Sequence, residues 1–236
     1  MSFLVNTKHR SAAVEWMDDF NLEGAVLRKT LDQIAGINRW LGGNGITKKG
    51  MLKLVSSRAK NTPLHVLDMG CGNGDLLRIL ASWARKNKQT MTFCGIDANA
   101  ETVRYAAELS GDFPEISYLH KDVFLLSDQE RTCDIALHTL FLHHFNNEQL
   151  TQLLRQQLTH SRVGIVVNDL HRHRGAYYLF SMVCAFIRNK RIRDDGLISI
   201  LKGFKKRELR ALSNQLNVCP QIQWKWAFRY QWIIQK

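Results

Sequence analysis

Val66-Leu67-Asp68-Met69-Gly70-Cys71-Gly72-Asn73-Gly74 is the stretch that decides the fold. The apolar run Leu64 to Met69 passes without a spacer into three glycines at alternate positions, and a helical pattern, Asp75 to Lys86, begins at once. Glycine permits positive φ and leaves no Cβ between the backbone and an approaching ligand. Strand, glycine turn and helix in that order open a βα unit whose turn can bind a nucleotide.

Working outward, the period keeps switching. A second strand is expected at Met91 to Asp97, a helix at Ala100 to Leu109, and a strand at Ile116 to His120. Further strands are expected at Asp134 to Leu140 and Val163 to Asn168, with a helix from Asn147 to Leu158 between them. Strands that alternate with helices need parallel crossovers, so the fold class is α/β with a doubly wound sheet. The apolar helix Gly175 to Ile187 and the basic run Arg188 to Arg193 exceed a minimal unit and read as a cap inserted at about 170–204. A helix at Lys205 to Leu216 and two strand-like runs, Gln221 to Phe228 and Tyr230 to Ile234, suit a closing antiparallel hairpin. Upstream, Ala12 to Arg58 is helical in pattern and broken at LGGNG, with Thr47 as a candidate cap for its second part. This divides the chain into a helical lid over residues 1–60 and one α/β domain over 61–236.

Asp97 ends the second strand twenty-three positions after Gly74, where a carboxylate can accept hydrogen bonds from ribose hydroxyls. The glycine spacing is GxGxG, whereas the dinucleotide fingerprint is GxGxxG. Asp68, two positions before the first glycine, would repel a pyrophosphate and attract a sulfonium or ammonium. On Asp68, Gly70, Gly72 and Gly74 the chain resembles the class I S-adenosylmethionine-dependent methyltransferases, whose loop reads E/DxGxGxG. The resemblance implies a Rossmann-like, seven-stranded, mostly parallel sheet with an antiparallel last strand. It also implies S-adenosylmethionine as cofactor and S-adenosylhomocysteine as product. Asp68, Gly70, Cys71, Gly72 and Gly74 would border the methionyl part, Asp97 would hold the ribose, and Ala98, Asp122 and Val123 the adenine. The segment His138 to Phe145, His-Thr-Leu-Phe-Leu-His-His-Phe, looks like the small-molecule branch, including ubiquinone- and menaquinone-type enzymes, where it lines cofactor and acceptor. It lacks the Asn/Asp-Pro-Pro-Tyr/Phe tetrapeptide of the amino-directed DNA methyltransferases.

Methyl transfer to a hydroxyl requires loss of its proton, and neutral imidazole can accept one near pH 7. Candidate bases follow the fourth and fifth strands: His144 first, with His143, His171 and His173 beside it. Asp169 could receive a proton or hold His171. Arg172 and Arg174 could orient an acidic acceptor, and Tyr177 and Tyr178 on the cap helix could line an aromatic or lipid-like one. That helix is apolar on nearly every face, so it should be buried or cover something greasy. The expected function is therefore O-methylation of a small apolar or aromatic metabolite (phenolic, quinone-like, polyketide or fatty-acid-derived) in secondary metabolism. RNA methylation and a non-catalytic binding module are the alternatives.

The 236 residues carry a net charge of +12, concentrated in residues 171–236. Such a surface suits solvated charge or transient contact with an anionic membrane; nucleic acid is the less favoured partner. The five cysteines show no metal-ligand spacing, so no metal is expected. With no signal-peptide pattern and no spanning run, a cytoplasmic location is expected.

Overall fold

The computed structural model describes residues 5–56, 62–219 and 221–236. A 3-10 turn at Trp16–Asp18 precedes α1 (Gly24–Trp40) and α2 (Gly43–Val55). Then come β1 (Leu64–Met69), α3 (Asp75–Lys86), β2 (Met91–Asp97), α4 (Ala100–Leu109), β3 (Ile116–His120) and the short α5 (Asp128–Arg131). β4 (Cys133–Thr139) leads through a 3-10 turn at Leu142–His144 into α6 (Asn147–His160) and β5 (Ser161–Leu170). α7 (Arg174–Cys184), α8 (Lys190–Lys202), α9 (Lys206–Gln215), β6 (Gln221–Lys225) and β7 (Arg229–Gln235) follow.

The strands form one seven-stranded sheet in the order β3-β2-β1-β4-β5-β7-β6, in which β7 alone runs against the rest. Because side chains alternate along a strand, each strand feeds two cores. Leu67, Met69, Ile165 and Val167 pack with Leu150 and Leu153 of α6 and Leu209 of α9. Val66, Ile135 and Leu137 pack with Met51 and Leu54 of α2 and Leu77 and Leu80 of α3. The chain reverses its direction across the sheet between β1 and β4, and their tips therefore border the crevice where ligands of such sheets bind.

The expected two-part lid divides in the structure. α2 belongs to the sheet: a Cβ on Gly50 would lie 2.6 Å from Val166 Cγ1, so glycine is what lets this helix approach. Asn168 donates to the Gly43 carbonyl and to Thr47 Oγ1, at 2.9 and 3.0 Å. Thr47 is thus not the N-cap. The helix starts at Gly43, after Gly42 in the left-handed region (φ 74°), and the Thr47 hydroxyl is spent sideways on Thr139 and Asn168. Arg58 and residue 60, where the preface was expected to end, lie outside the described residues.

The cap holds two helices, and α8 had no counterpart in the sequence reading. Phe204 N donates to Leu170 O and Arg172 N donates to Phe204 O, at 2.8 and 3.0 Å, so the insertion leaves and re-enters the fold at one point. The expected burial of the first cap helix is only half met. Ala176 and Cys184 are buried and Phe180 lies against Gly196 of α8, whereas Leu179 and Met182 face solvent.

Candidate active site

The glycine loop takes the backbone that its sequence requires, with φ of 71°, 53° and 74° at Gly70, Gly72 and Gly74. It is tied to β2, since Gly70 and Cys71 donate to Ile96 O and Gly72 donates to Asp97 Oδ2, at 2.8, 3.1 and 3.2 Å. Asp97 Oδ1 accepts from Asn99 N at 3.1 Å. Burial holds its carboxyl above the usual range, and these amide bonds offset only part of that.

Asp68 is buried, and its Oδ1 has no hydrogen-bond partner. Burial, with the charge of Asp97 added, pushes its carboxyl up to about 8. His138, opposite Met69 in the β1–β4 register, is also fully buried with both ring nitrogens unpartnered, and burial pushes it down to about 3. Orphaned polar groups of this kind are costly unless a ligand satisfies them. Two carboxylates beside glycine amides, Asp68 buried and Asp97 partly so, fit a ligand that brings positive charge and hydroxyls. Ala98, Asp122 and Val123 stand at the tips of β2 and β3; Asp122 accepts from Phe124 N in a turn, and buried Arg131 holds that turn through Val123 O. Cys71 is buried and its thiol pushed up, so it is inert.

The N-terminal segment and α1 lie directly on this loop. Asn99 Nδ2 donates to the carbonyls of Phe20 and Leu22, Asn73 Nδ2 donates to Asp32 of α1, and a Cβ on Gly72 would lie 3.9 Å from Leu31 Cδ2.

A second constellation joins the tips of β4 and β5. His143 Nδ1 lies 2.7 Å from Asp169 Oδ1, and both side chains are buried. Burial would depress this imidazole; the Asp169 charge, the bond to it and the Glu15 charge outweigh burial and hold it above the ordinary value of 6.5. Glu15 Oε1 faces His143 Nε2 at 3.8 Å, and His144 Nδ1 pairs with Asp18 Oδ1 at 2.6 Å. Glu15, His143 and His144 offer ligand atoms within 4.8 Å of one another. Lys202 Nζ already supplies a cation, 3.1 Å from Glu15 Oε1 and 3.0 Å from Asp18 Oδ2, and would repel a metal ion there.

Residues 66–164 match the family described as a methyltransferase domain. The matched stretch runs from β1 into β5 and contains the glycine loop, Asp68 and Asp97. The fold of the chain is shared with the plantazolicin methyltransferase BpumL in complex with SAH (17% identity, 89% of each chain covered, TM-score 0.66). It is shared as well with the magnesium protoporphyrin IX methyltransferase ChlM of Synechocystis PCC 6803 with bound SAM (14% identity, 95% and 98% covered, TM-score 0.59). A third is the O-methyltransferase family 2 protein of Planctomyces limnophilus DSM 3776 in complex with apigenin (14% identity, 89% and 61% covered, TM-score 0.58). No curated protein matches the chain.

An aromatic bridge runs from the glycine loop to a cavity. A Cβ on Gly70 would strike the Phe141 ring; Phe141 packs edge-on against Phe145 at 4.9 Å, and Phe145 lines a cavity of about 620 Å³. Its wall is mixed: Arg10, Asp18, His143, His144, Asn146 and Lys202 are among its polar residues, and Phe145, Leu150, Phe204 and Leu212 among its apolar ones.

The other expected site residues lie elsewhere. Asp169, read as a partner for His171, holds His143 instead. His171 packs on Tyr230 at 4.7 Å, and burial, with help from His173, pushes it down to about 4. His173 caps α7 by accepting from Gly175 N. Arg172 is buried, with all its nitrogens engaged by Glu208 and the carbonyls of Thr7, Lys8 and Gly203, which leaves no fork for an acceptor. Arg174 is exposed and donates to Val5 O; the Tyr178 hydroxyl accepts from Val5 N, and Tyr177 stacks edge-on against Tyr178. Sequence reasoning missed Glu15, Asp18, Arg10 and Lys202. Their only signal was a group of charged residues just upstream of the first amphipathic helix and one basic residue at the end of an unrecognised helix. No helix among the described residues is long and apolar enough to cross a membrane.

Proposed function

We propose that this methyltransferase transfers a methyl group from S-adenosylmethionine to an oxygen of a small, largely apolar acceptor held in the cavity beside His143. When bound, the cofactor supplies an electrophilic methyl group on a sulfonium. Asp68 and the glycine loop would hold its methionyl part, Asp97 its ribose, and Asp122 and Val123 its adenine. The single observation that carries the acceptor chemistry is the buried 2.7 Å pair of His143 and Asp169. With Nδ1 engaged by Asp169, the imidazole presents Nε2 for the proton of a hydroxyl, and the raised affinity for that proton suits a base working near neutral pH. The apolar part of the wall suits an aromatic or aliphatic body, and the apigenin bound by one structural relative is a body of that kind.

The test is methyl transfer from labelled S-adenosylmethionine to a panel of phenols, quinols, hydroxy acids, fatty acids and RNA, after S-adenosylhomocysteine is shown to raise the melting temperature. Labelled small-molecule ether or ester, lost in His143→Gln while S-adenosylhomocysteine still stabilises the variant, is expected. Label in RNA alone would overturn the acceptor class, and undiminished turnover in His143→Gln would overturn the base.

A further inference from the structure

The cap helix α7 is apolar on two opposite sides, and only one is used. Ala176, Phe180 and Cys184, four residues apart, form the inner side, and the Phe180 ring lies so close to Gly196 that a Cβ there would strike it. Leu179, Met182 and Phe186 form the outer side at the spacing of one helical stripe, continued past the helix end by the turn bonds Ala185 N to Met182 O and Phe186 N to Val183 O. Their exposures are 52%, 64% and 88%. Exposed apolar residues scattered singly are ordinary, but three in line on one helix face are not.

The same corner is strongly basic. Arg188, Lys190 and Arg191 follow the stripe directly and are exposed, and no acidic residue occurs between Arg174 and Arg193. A stripe of large apolar side chains bordered by cations is the pattern by which a helix lies in the interface of an anionic bilayer, and apolar insertion and basic charge together are the two signals such anchoring needs. A second copy of the chain suits this face poorly, because a two-fold contact that paired the stripe with itself would also bring two basic clusters together on molecules of net charge +12.

We infer that the α7–α8 corner docks on an anionic membrane surface, with Leu179, Met182 and Phe186 entering the headgroup region and Arg188, Lys190 and Arg191 contacting lipid phosphates. Docking there would bring the cap, whose Lys202 lines the acceptor cavity, next to a store of apolar compounds. The inference stands on exposed surface and does not depend on the acceptor or the base.

Vesicle sedimentation tests it with the full chain and no substrate. The protein is expected to pellet with vesicles of phosphatidylcholine and phosphatidylglycerol at low salt and to remain in solution with phosphatidylcholine alone. Each basic side chain near such a surface is worth about a fivefold change in partition. Arg188→Gln, Lys190→Gln and Arg191→Gln together should therefore lower binding about a hundredfold, and 0.5 M salt should do the same. Leu179→Ser, Met182→Ser and Phe186→Ser together should abolish binding without lowering the melting temperature, since all three are exposed. Failure to bind anionic vesicles, equal binding to neutral ones, or binding unchanged in both triple variants would overturn the inference. So would a dimer in analytical ultracentrifugation that the serine variant converts to monomer.

Discussion

Nδ1 of His143 lies 2.7 Å from Oδ1 of Asp169, and Asp169 Oδ2 accepts from the His143 backbone N–H at 3.2 Å, so one carboxylate fixes both the ring and the main chain of the residue that follows β4. His143→Gln should lower kcat about 10²–10⁴-fold, the usual worth of a positioned base, with a smaller loss in His144→Gln, whose ring pairs with Asp18. Steady-state kinetics on the acceptor found by screening will rank the two.

Because the base acts without its proton, activity should rise with pH through the His143 pKa, and the acid limb of kcat/KM should lie above 6.5. Asp169→Asn removes the charge that favours the imidazolium, so the limb should move to lower pH while the maximum falls. A limb that stays in place in this variant would show that Asp169 does not tune the base.

Asp68 offers a test without acceptor. An acid whose folded pKa is raised costs stability as pH climbs from its unfolded value, 3.8, to about 8, because the unfolded chain releases the proton first. Asp68→Asn should therefore raise the melting temperature of the free protein near pH 8, by roughly 3 °C for each kcal/mol relieved in a domain of this size. The same variant should lose most of the stabilisation given by S-adenosylmethionine, and thermal melts with and without it measure both effects.

The loop glycines should separate into two kinds. A methyl at Gly70 or Gly74 would meet the Phe141 ring or the Tyr118 hydroxyl, so alanine there should cost roughly 2 kcal/mol or more. At Gly72 the nearest atom is Leu31 Cδ2, 3.9 Å away, so alanine should cost only about 1 kcal/mol for its positive φ. Gly72→Ala should nonetheless lose affinity for S-adenosylhomocysteine by calorimetry, because its methyl would project into the ligand's approach.

Arg172→Ala should act on stability and leave substrate affinity alone. Removing a buried guanidinium that spans Glu208 and three carbonyls should cost about 3–5 kcal/mol, read in urea melts, with KM unchanged in whatever folds.

The elements from β1 to β3 were legible because each is decided locally: an apolar run, a glycine turn, a carboxylate at a strand tip. Leu64–Met69, Asp75–Lys86 and Met91–Asp97 begin and end where the pattern placed them. The histidine cluster was only half legible. That His143 and Asp169 follow strands was readable, but their pairing depends on β4 and β5 lying side by side. Glu15 and Asp18 reach His143 and His144 across more than 120 residues of chain, and Lys202 joins them from α8, so no local period carries that information. The cap misled in a different way: its apolar composition predicted burial, whereas α7 buries one side and exposes the other.

The bonds between Phe204 and the Leu170–Arg172 backbone make the cap a closed loop on a finished sheet. Since the chain departs and returns at the same place, β5 and β7 keep their register whatever lies between. The segment can accordingly lengthen, shorten or be exchanged whole without disturbing the sheet, like an interchangeable bit on a fixed handle.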